Sequence, residues 1–247
     1  MSILTFEEHY VPRLWGGNAL QTVYNKPLPN EPIGEAWLIS DHPQHTSIVK
    51  RGQYEGQTLH DLLEHDAAAL LGARAALTVH GRFPLLLKLL DAQDKLSIQV
   101  HPDDDIAASL GENDGGKTEM WHVLHTDPGS ILYCGLPKTL TKEDVDSLLD
   151  SGELADNLCK INAAPDMSVF VPAGTIHAIG EGSLLAEIQQ NSDLTYRMDD
   201  WGRVDNDGNP RELHLEKSRA CVRYPNSHPG PTPSFSYQDG VTTVRIL

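Results

Sequence analysis

Three cysteines in 247 residues, at positions 134, 159 and 221, are too few and too unevenly spaced for a disulfide framework or a thiolate zinc site. An odd number with no Cys-x-x-Cys pair predicts free thiols in a reducing, cytoplasmic compartment. Basic residues are scarce as well: 19 Lys and Arg stand against 35 Asp and Glu, a formal charge of −16 at pH 7. Such a field repels nucleic acid and anionic membrane, and no run of Lys or Arg offers a local exception, so neither is an expected partner. Residues 1–17 show no basic stretch followed by an apolar run, which argues against a secretion signal. The apolar stretches nearby fall far short of the ~20 residues that span a bilayer. Long helical periods are also few.

What is present in quantity is short apolar segments set between Pro and Gly turns. They predict strands over 35–40, 85–90, 96–101, 119–124, 131–135, 167–171, 184–189 and 194–198. That spacing predicts a mainly β fold, a sandwich or barrel, in place of a doubly wound sheet. Two helical segments interrupt it. Over 58–74, Leu59, Leu62, Leu63, Ala67, Leu70 and Leu71 recur at helical spacing. From Thr141, with Asp144 as its capping partner, Val145, Leu148 and Leu149 share a helical face, and further turns are expected over 153–161. One catalytic domain is therefore expected over 1–222, with helical decorations near 58–74 and 141–161. From residue 223 a Pro, Ser and Gly rich stretch reads as a linker to a terminal strand over 241–247, the first strand of a further β domain.

Four segments carry candidate chemistry. Along 95–101 side chains alternate, so Leu96, Ile98 and Val100 form an apolar face and Lys95, Ser97, Gln99 and His101 a polar one. An amide and an imidazole two residues apart can address one ion. In the next segment Lys117, Glu119 and Trp121 share a face, which presents a carboxylate beside a cation. Gly115-Gly-Lys-Thr118 resembles the end of a phosphate loop, but that loop would open at Gly111 within turn-forming residues and not after a buried strand, which argues against it. In the third segment an apolar strand meets the turn Pro172-Ala-Gly174, and His177 follows three residues later, projected back toward the core. In the fourth, Glu187 alternates with Ala186 and Ile188 and so faces a cavity or solvent, and Arg197 sits between Tyr196 and Met198 in a strand. Gln99, His101, Glu119 and His177 together supply an amide oxygen, two imidazoles and one carboxylate. That donor set suits a catalytic divalent ion, most simply Zn²⁺, which a single ligand charge leaves strongly Lewis acidic.

Taken in order, Gln99-Val-His101-Pro, Gly116-Lys117-Thr-Glu119-Met-Trp, Pro172-Ala-Gly-Thr-Ile-His177 and the stretch from Glu187 to Arg197 resemble type I mannose-6-phosphate isomerase, a zinc enzyme family of the cupin superfamily. Leu14-Trp15-Gly-Gly and Pro32-Ile-Gly-Glu35-Ala-Trp37 extend the likeness from the start of the chain to about residue 220. The resemblance implies a cupin-type β-barrel, a jelly roll with helical insertions. It implies one Zn²⁺ per chain on Gln99, His101, Glu119 and His177, an active-site role for Arg197, and a substrate pocket lined by Trp15, Ser97, Lys117 and Glu187. The implied reaction interconverts mannose 6-phosphate and fructose 6-phosphate through a cis-enediol. Lys117 and Glu187 rank equally as its base, and Arg197 suits charge stabilisation because a guanidinium stays protonated. A cupin that binds metal and sugar phosphate without turnover would use the same ligands but would not need Lys117, Glu187 and Arg197 around them. Iron-dependent cupin dioxygenases more often carry His-x-His where this chain has Gln99-x-His101.

A phosphate ester has to be captured against the overall field, so the pocket is expected to be a positive island. The metal, Lys117 and Arg197 supply it, with Lys95 or Arg203 as further cations. Lys95 therefore joins Trp15 and Ser97 as a substrate-binding candidate.

Overall fold

The computed structural model describes residues 3–72, 75–78, 80–204, 207–226, 230–233, 235–239 and 242–246. In chain order the elements begin with β1 (His9–Gly17), α1 (Ala19–Tyr24), β2 (Ile33–Ile39) and a short ribbon of β3 (Asp41–His42) and β4 (His45–Thr46). Next come α2 (Leu59–Leu71), β5 (Leu85–Ala92), β6 (Ile98–Val100), α3 (Asp104–Ser109), β7 (Glu119–Thr126) and β8 (Ile131–Cys134). Helix α4 (Lys142–Ser151) precedes β9 (Lys160–Asn162), β10 (Ser168–Val171), β11 (His177–Ile179), β12 (Ser183–Gln190) and β13 (Tyr196–Asp199). Helix α5 (Leu215–Cys221) and the pair β14 (Phe235–Asp239) and β15 (Thr242–Ile246) follow.

Two antiparallel sheets face each other, one of order β1-β2-β5-β12-β7-β10 and one of order β13-β6-β11-β8-β9. Leu90, Trp121, Val169 and Leu185 of the first meet Leu132, Cys134 and Ile179 of the second in one buried cluster, so one core lies between the sheets. The outer face of the first sheet buries Leu89 and Leu184 against Leu20 of α1. The outer face of the second buries Ile98, Val100 and Met198 against Val145 and Leu149 of α4 and Cys221 of α5. Strands covered on both faces read as near-continuous apolar runs, which is why 85–90 shows no clean alternation. The mainly β reading with helices as outer decoration therefore holds.

All eight predicted strands occur, with shifted ends. The unforeseen β1 carries Pro12, where its register with β2 slips. Helix α2 opens at Thr58, whose hydroxyl accepts from Asp61 N while the Asp61 carboxylate accepts from Thr58 N. Its predicted last two positions, 73 and 74, lie outside the described residues. Helix α4 opens on the expected Thr141 and Asp144 capping box and closes at Gly152, where φ is 74°. The helical turns expected over 153–161 reduce to one 3₁₀ turn, Leu154–Asn157, before β9 begins. The terminal strand runs Thr242–Ile246, and positions 241 and 247 lie outside the described residues.

The stretch from residue 223 is tied to the sheets. Arg223 N donates to Gly174 O at 3.0 Å, and Asn226 Nδ2 donates to the same oxygen at 2.6 Å. Asn226 also accepts from Ile176 N on its side chain and from Leu136 N on its carbonyl. Thr232 N donates to Ser168 O, and Thr232 Oγ1 accepts from Phe170 N, so this segment runs along the open edge of β10. Among the described residues no helix is long and apolar enough to cross a membrane.

Candidate active site

Strand register assembles the site. In the second sheet Arg197 of β13 lies opposite Gln99 of β6, and Gln99 lies opposite His177 of β11. In the first sheet Trp37 of β2, Lys88 of β5, Glu187 of β12 and Trp121 of β7 form one row, with Glu119 opposite Gln189. Residues directly opposite on neighbouring strands point to the same side, so each row is a band of adjacent side chains. The two bands face each other across the space between the sheets.

His101, Glu119 and His177 are fully buried, and one potential ligand atom from each lies within 4.8 Å of the others. Glu119 Oε2 is 3.4 Å from His101 Nε2, and Glu119 Oε1 is 3.3 Å from His177 Nε2. His101 Nδ1 is 2.7 Å from Leu194 O, and His177 Nδ1 is 2.8 Å from Thr175 O. A carbonyl can only accept, so each Nδ1 carries the proton and each Nε2 presents a lone pair to the cluster. The Gln99 amide lies 3.3 Å from His177 Nε2. A half-turn about its last side-chain bond presents the oxygen there instead of the nitrogen. Both Glu119 oxygens are buried with no partner in hydrogen-bond geometry. A buried carboxylate with no well-aligned hydrogen bond, beside two imidazole lone pairs, is a donor set that fits a divalent cation.

Beside this cluster a cavity of about 270 Å³ opens between the sheets. Trp15, Ser97, Gln99, Lys117, Glu187 and Arg197 all line it, which brings together most of the expected site. Lys95 is placed elsewhere: its ammonium lies 4.7 Å from the centre of the Trp201 ring. The alternation inferred over 95–101 holds from Ser97 onward and fails before it, because β6 begins only at Ile98 and Leu96 is in the core between the sheets. Arg203 is also engaged outside the cavity, with Asp94, Asp200 and the Lys95 carbonyl. The remaining cations of the lining are Arg13, Lys88 and Arg211, so five basic groups face the three acids Glu35, Glu187 and Asp193. The lining thus holds more basic than acidic groups on an acidic molecule, with Glu119 beside Lys117 and Asp200 on Arg211 as further counter-charges.

The electrostatics divide the two base candidates. Burial and the neighbouring Glu119 raise the Glu187 pKa to about 7, against the opposing pull of Lys117 and Lys88. Trp121 Nε1 donates to Glu187 Oε2 at 3.1 Å and holds the carboxylate in place. Burial would lower the Lys117 pKa, but Glu119 at 2.9 Å and Glu187 at 3.8 Å outweigh it and raise the value instead. For Glu119, burial works to raise the pKa, and the Lys117 ammonium foremost overrides it to hold the group well below the usual carboxylate range.

A family model for the catalytic domain of type I phosphomannose isomerase matches residues 3–126. The mannose-6-phosphate isomerase ManA of Bacillus subtilis is 39% identical over 244 residues, which cover 99% of this chain and 75% of that protein. This chain belongs to the type I phosphomannose isomerase family. The mannose-6-phosphate isomerase of Streptococcus mutans is also 39% identical, across 95% of this chain and 72% of that protein. The crystal structure of the Bacillus subtilis mannose 6-phosphate isomerase superposes with a TM-score of 0.89 at 35% identity, covering 98% of this chain and 75% of that one. Membership agrees with the motif order read from the sequence.

Arg13, Lys88, Asp193 and Arg211 also line the cavity and are absent from the site expected from the sequence, in which Glu35 figures only as part of a motif. Lys88 Nζ lies 3.0 Å from Asp193 and 3.5 Å from Glu35, and 4.5 Å from the centre of the Trp37 ring. Its signal was present in the sequence as a single cation inside the apolar run Leu85-Leu-Leu-Lys-Leu-Leu90, since a lysine buried on a strand requires a counter-charge.

Proposed function

We propose that this chain is a Zn²⁺-dependent isomerase that interconverts mannose 6-phosphate and fructose 6-phosphate through a cis-enediol. The observation that carries this reading is the His101, Glu119 and His177 cluster opening onto a cavity lined by Lys117, Arg197 and the buried carboxylate of Glu187. Three mannose-6-phosphate isomerase comparisons that span most of the chain support the substrate. Held by His101, Glu119, His177 and the Gln99 amide oxygen, Zn²⁺ supplies Lewis-acid polarisation of the sugar carbonyl.

Glu187 moves the proton between the two sugar carbons, because it lines the cavity beside the cluster and Trp121 fixes its aim. Lys117, flanked by two carboxylates, stays protonated and donates a hydrogen bond to a sugar oxygen. Arg197 and Arg211 receive the phosphate. The Arg197 Nε is buried without a hydrogen-bond partner, and guanidinium geometry suits a phosphate oxygen pair. The metal-binding sensor that would hold sugar phosphate without turnover has no use for a buried carboxylate aimed by an indole N–H beside the metal cluster.

The test is a coupled assay for fructose 6-phosphate formation from mannose 6-phosphate, run before chelation, after chelation and after Zn²⁺ is restored. Activity should vanish and return. Glu187→Gln should lower kcat by about 10²- to 10⁴-fold when assayed at saturating Zn²⁺. Undiminished deuterium exchange at the sugar C2 in that variant would remove Glu187 as the base, and no activity with Zn²⁺ restored would favour the sensor.

A further inference from the structure

Lys117 Nζ lies 3.3 Å from His101 Nε2 and 2.9 Å from Glu119 Oε2. Because His101 Nδ1 is committed to the Leu194 carbonyl, the Nε2 lone pair is the only acceptor that ring offers. The ammonium thus engages the same lone pair and the same carboxylate that a metal ion would use. Its nearest carboxylate outside the proposed ligands is that of Glu187, at 3.8 Å.

We propose that Lys117 is the resident counter-cation of the metal centre: its ammonium holds the His101 and Glu119 donor atoms when no metal is bound and turns to Glu187 when one is. This rests on the metal reading above and adds a role to Lys117 that is independent of turnover. A carboxylate as buried as Glu119 is strongly destabilising when left uncompensated, so an internal cation keeps the ligands in place through metal loss. The same cation opposes the metal. Two positive charges a few ångströms apart in a buried site repel, so affinity settles below what the four donors alone would give. The site is then both pre-shaped and exchangeable, and the loose 3.8 Å pairing of Lys117 with Glu187 tightens as the metal loads.

Zn²⁺ affinity of the full chain, measured by competition with a chromogenic chelator, tests this without reference to activity. Lys117→Met should bind Zn²⁺ about tenfold or more tightly than the wild type. Glu187→Gln should weaken Zn²⁺ binding in the wild-type background and do so far less in the Lys117→Met background, because the carboxylate acts through the ammonium. Equal or weaker binding by Lys117→Met, or a Glu187→Gln effect undiminished in the double variant, would overturn the proposal. If the wild type itself takes up no Zn²⁺, the metal reading falls; normal uptake with an unchanged Lys117→Met affinity removes only the counter-cation. Should Lys117→Met and Lys117→Gln be unstable alone, added Zn²⁺ should raise their thermal midpoints more than that of the wild type. Variants that stay unfolded in saturating Zn²⁺ would also overturn it.

Discussion

Glu35 accepts hydrogen bonds from Arg13 Nε at 2.6 Å and Trp37 Nε1 at 2.7 Å, with Lys88 Nζ 3.5 Å away. Burial works to raise its pKa, but Lys88 and Arg13 prevail and hold it at about 2, below the ordinary 4.5. A carboxylate with a depressed folded pKa contributes stability above its unfolded pKa and loses it as the pH falls through the folded one. The Glu35 contribution should therefore be complete above pH 4.5 and fade toward pH 2. Glu35→Gln leaves Lys88 short of a partner and should cost about 3 kcal/mol at pH 7. In chemical denaturation the gap to the wild type should narrow steadily between those two pH values, and a constant gap would exclude the ion pair as its source. Gln99, His101, Glu119 and His177 were legible in the sequence because each sits in a short pattern that fixes its face. Lys88 and Asp193 lie 105 positions apart, and no local pattern announces such a partner. Lys95 was misplaced for the opposite reason, a local alternation extended past the end of its strand.

At the scale of elements, the approach of α3 to the segment before β7 sets where Lys117 stands. Asp103 caps α3 by accepting from Ile106 N, and Lys117 N donates to Pro102 O at 2.9 Å. Gly116 packs against that helix start so closely that a Cβ would lie 2.4 Å from Asp104 N and 2.5 Å from Asp103 C. Backbone cannot give way as a side-chain tip can, so Gly116→Ala should push Lys117 off the cluster. We expect about 1–3 kcal/mol of lost stability by thermal melting, with a fall in kcat that exceeds what the lower midpoint explains. A variant that melts lower yet keeps its kcat would show that Lys117 tolerates the shift. The strands around the site were legible from apolar runs and turns, and the helix starts from their capping pairs. The three-residue β11 was not, because His177-Ala-Ile179 is too short to show a period and is recognisable as a strand only through its partners Gln99 and Cys134.

For the whole molecule, a charge of −16 surrounds a cavity with five basic and three acidic linings. The outer field opposes a sugar phosphate at long range, and the cavity attracts it at short range. Raising ionic strength from about 0.01 to 0.1 M shortens the screening length from about 30 to 10 Å, which removes the first effect and spares much of the second. KM for mannose 6-phosphate should fall over that interval at constant Zn²⁺; a KM that only rises would mean that the cavity cations dominate at every distance. The chain spans about three quarters of its Bacillus subtilis relative, and every proposed ligand lies within that span.

The clasp of Asn226 on Gly174 and Ile176 has a consequence in time. Ribosomes deliver a chain from its N-terminus at several residues per second, and domains assemble as they emerge. All four proposed donors have been made by residue 177, yet the turn that presents the last of them is closed by a residue 52 positions after Gly174. The centre is thus finished by a late arrival, and a nascent chain halted before Asn226 would carry its ligands without the brace that aims them.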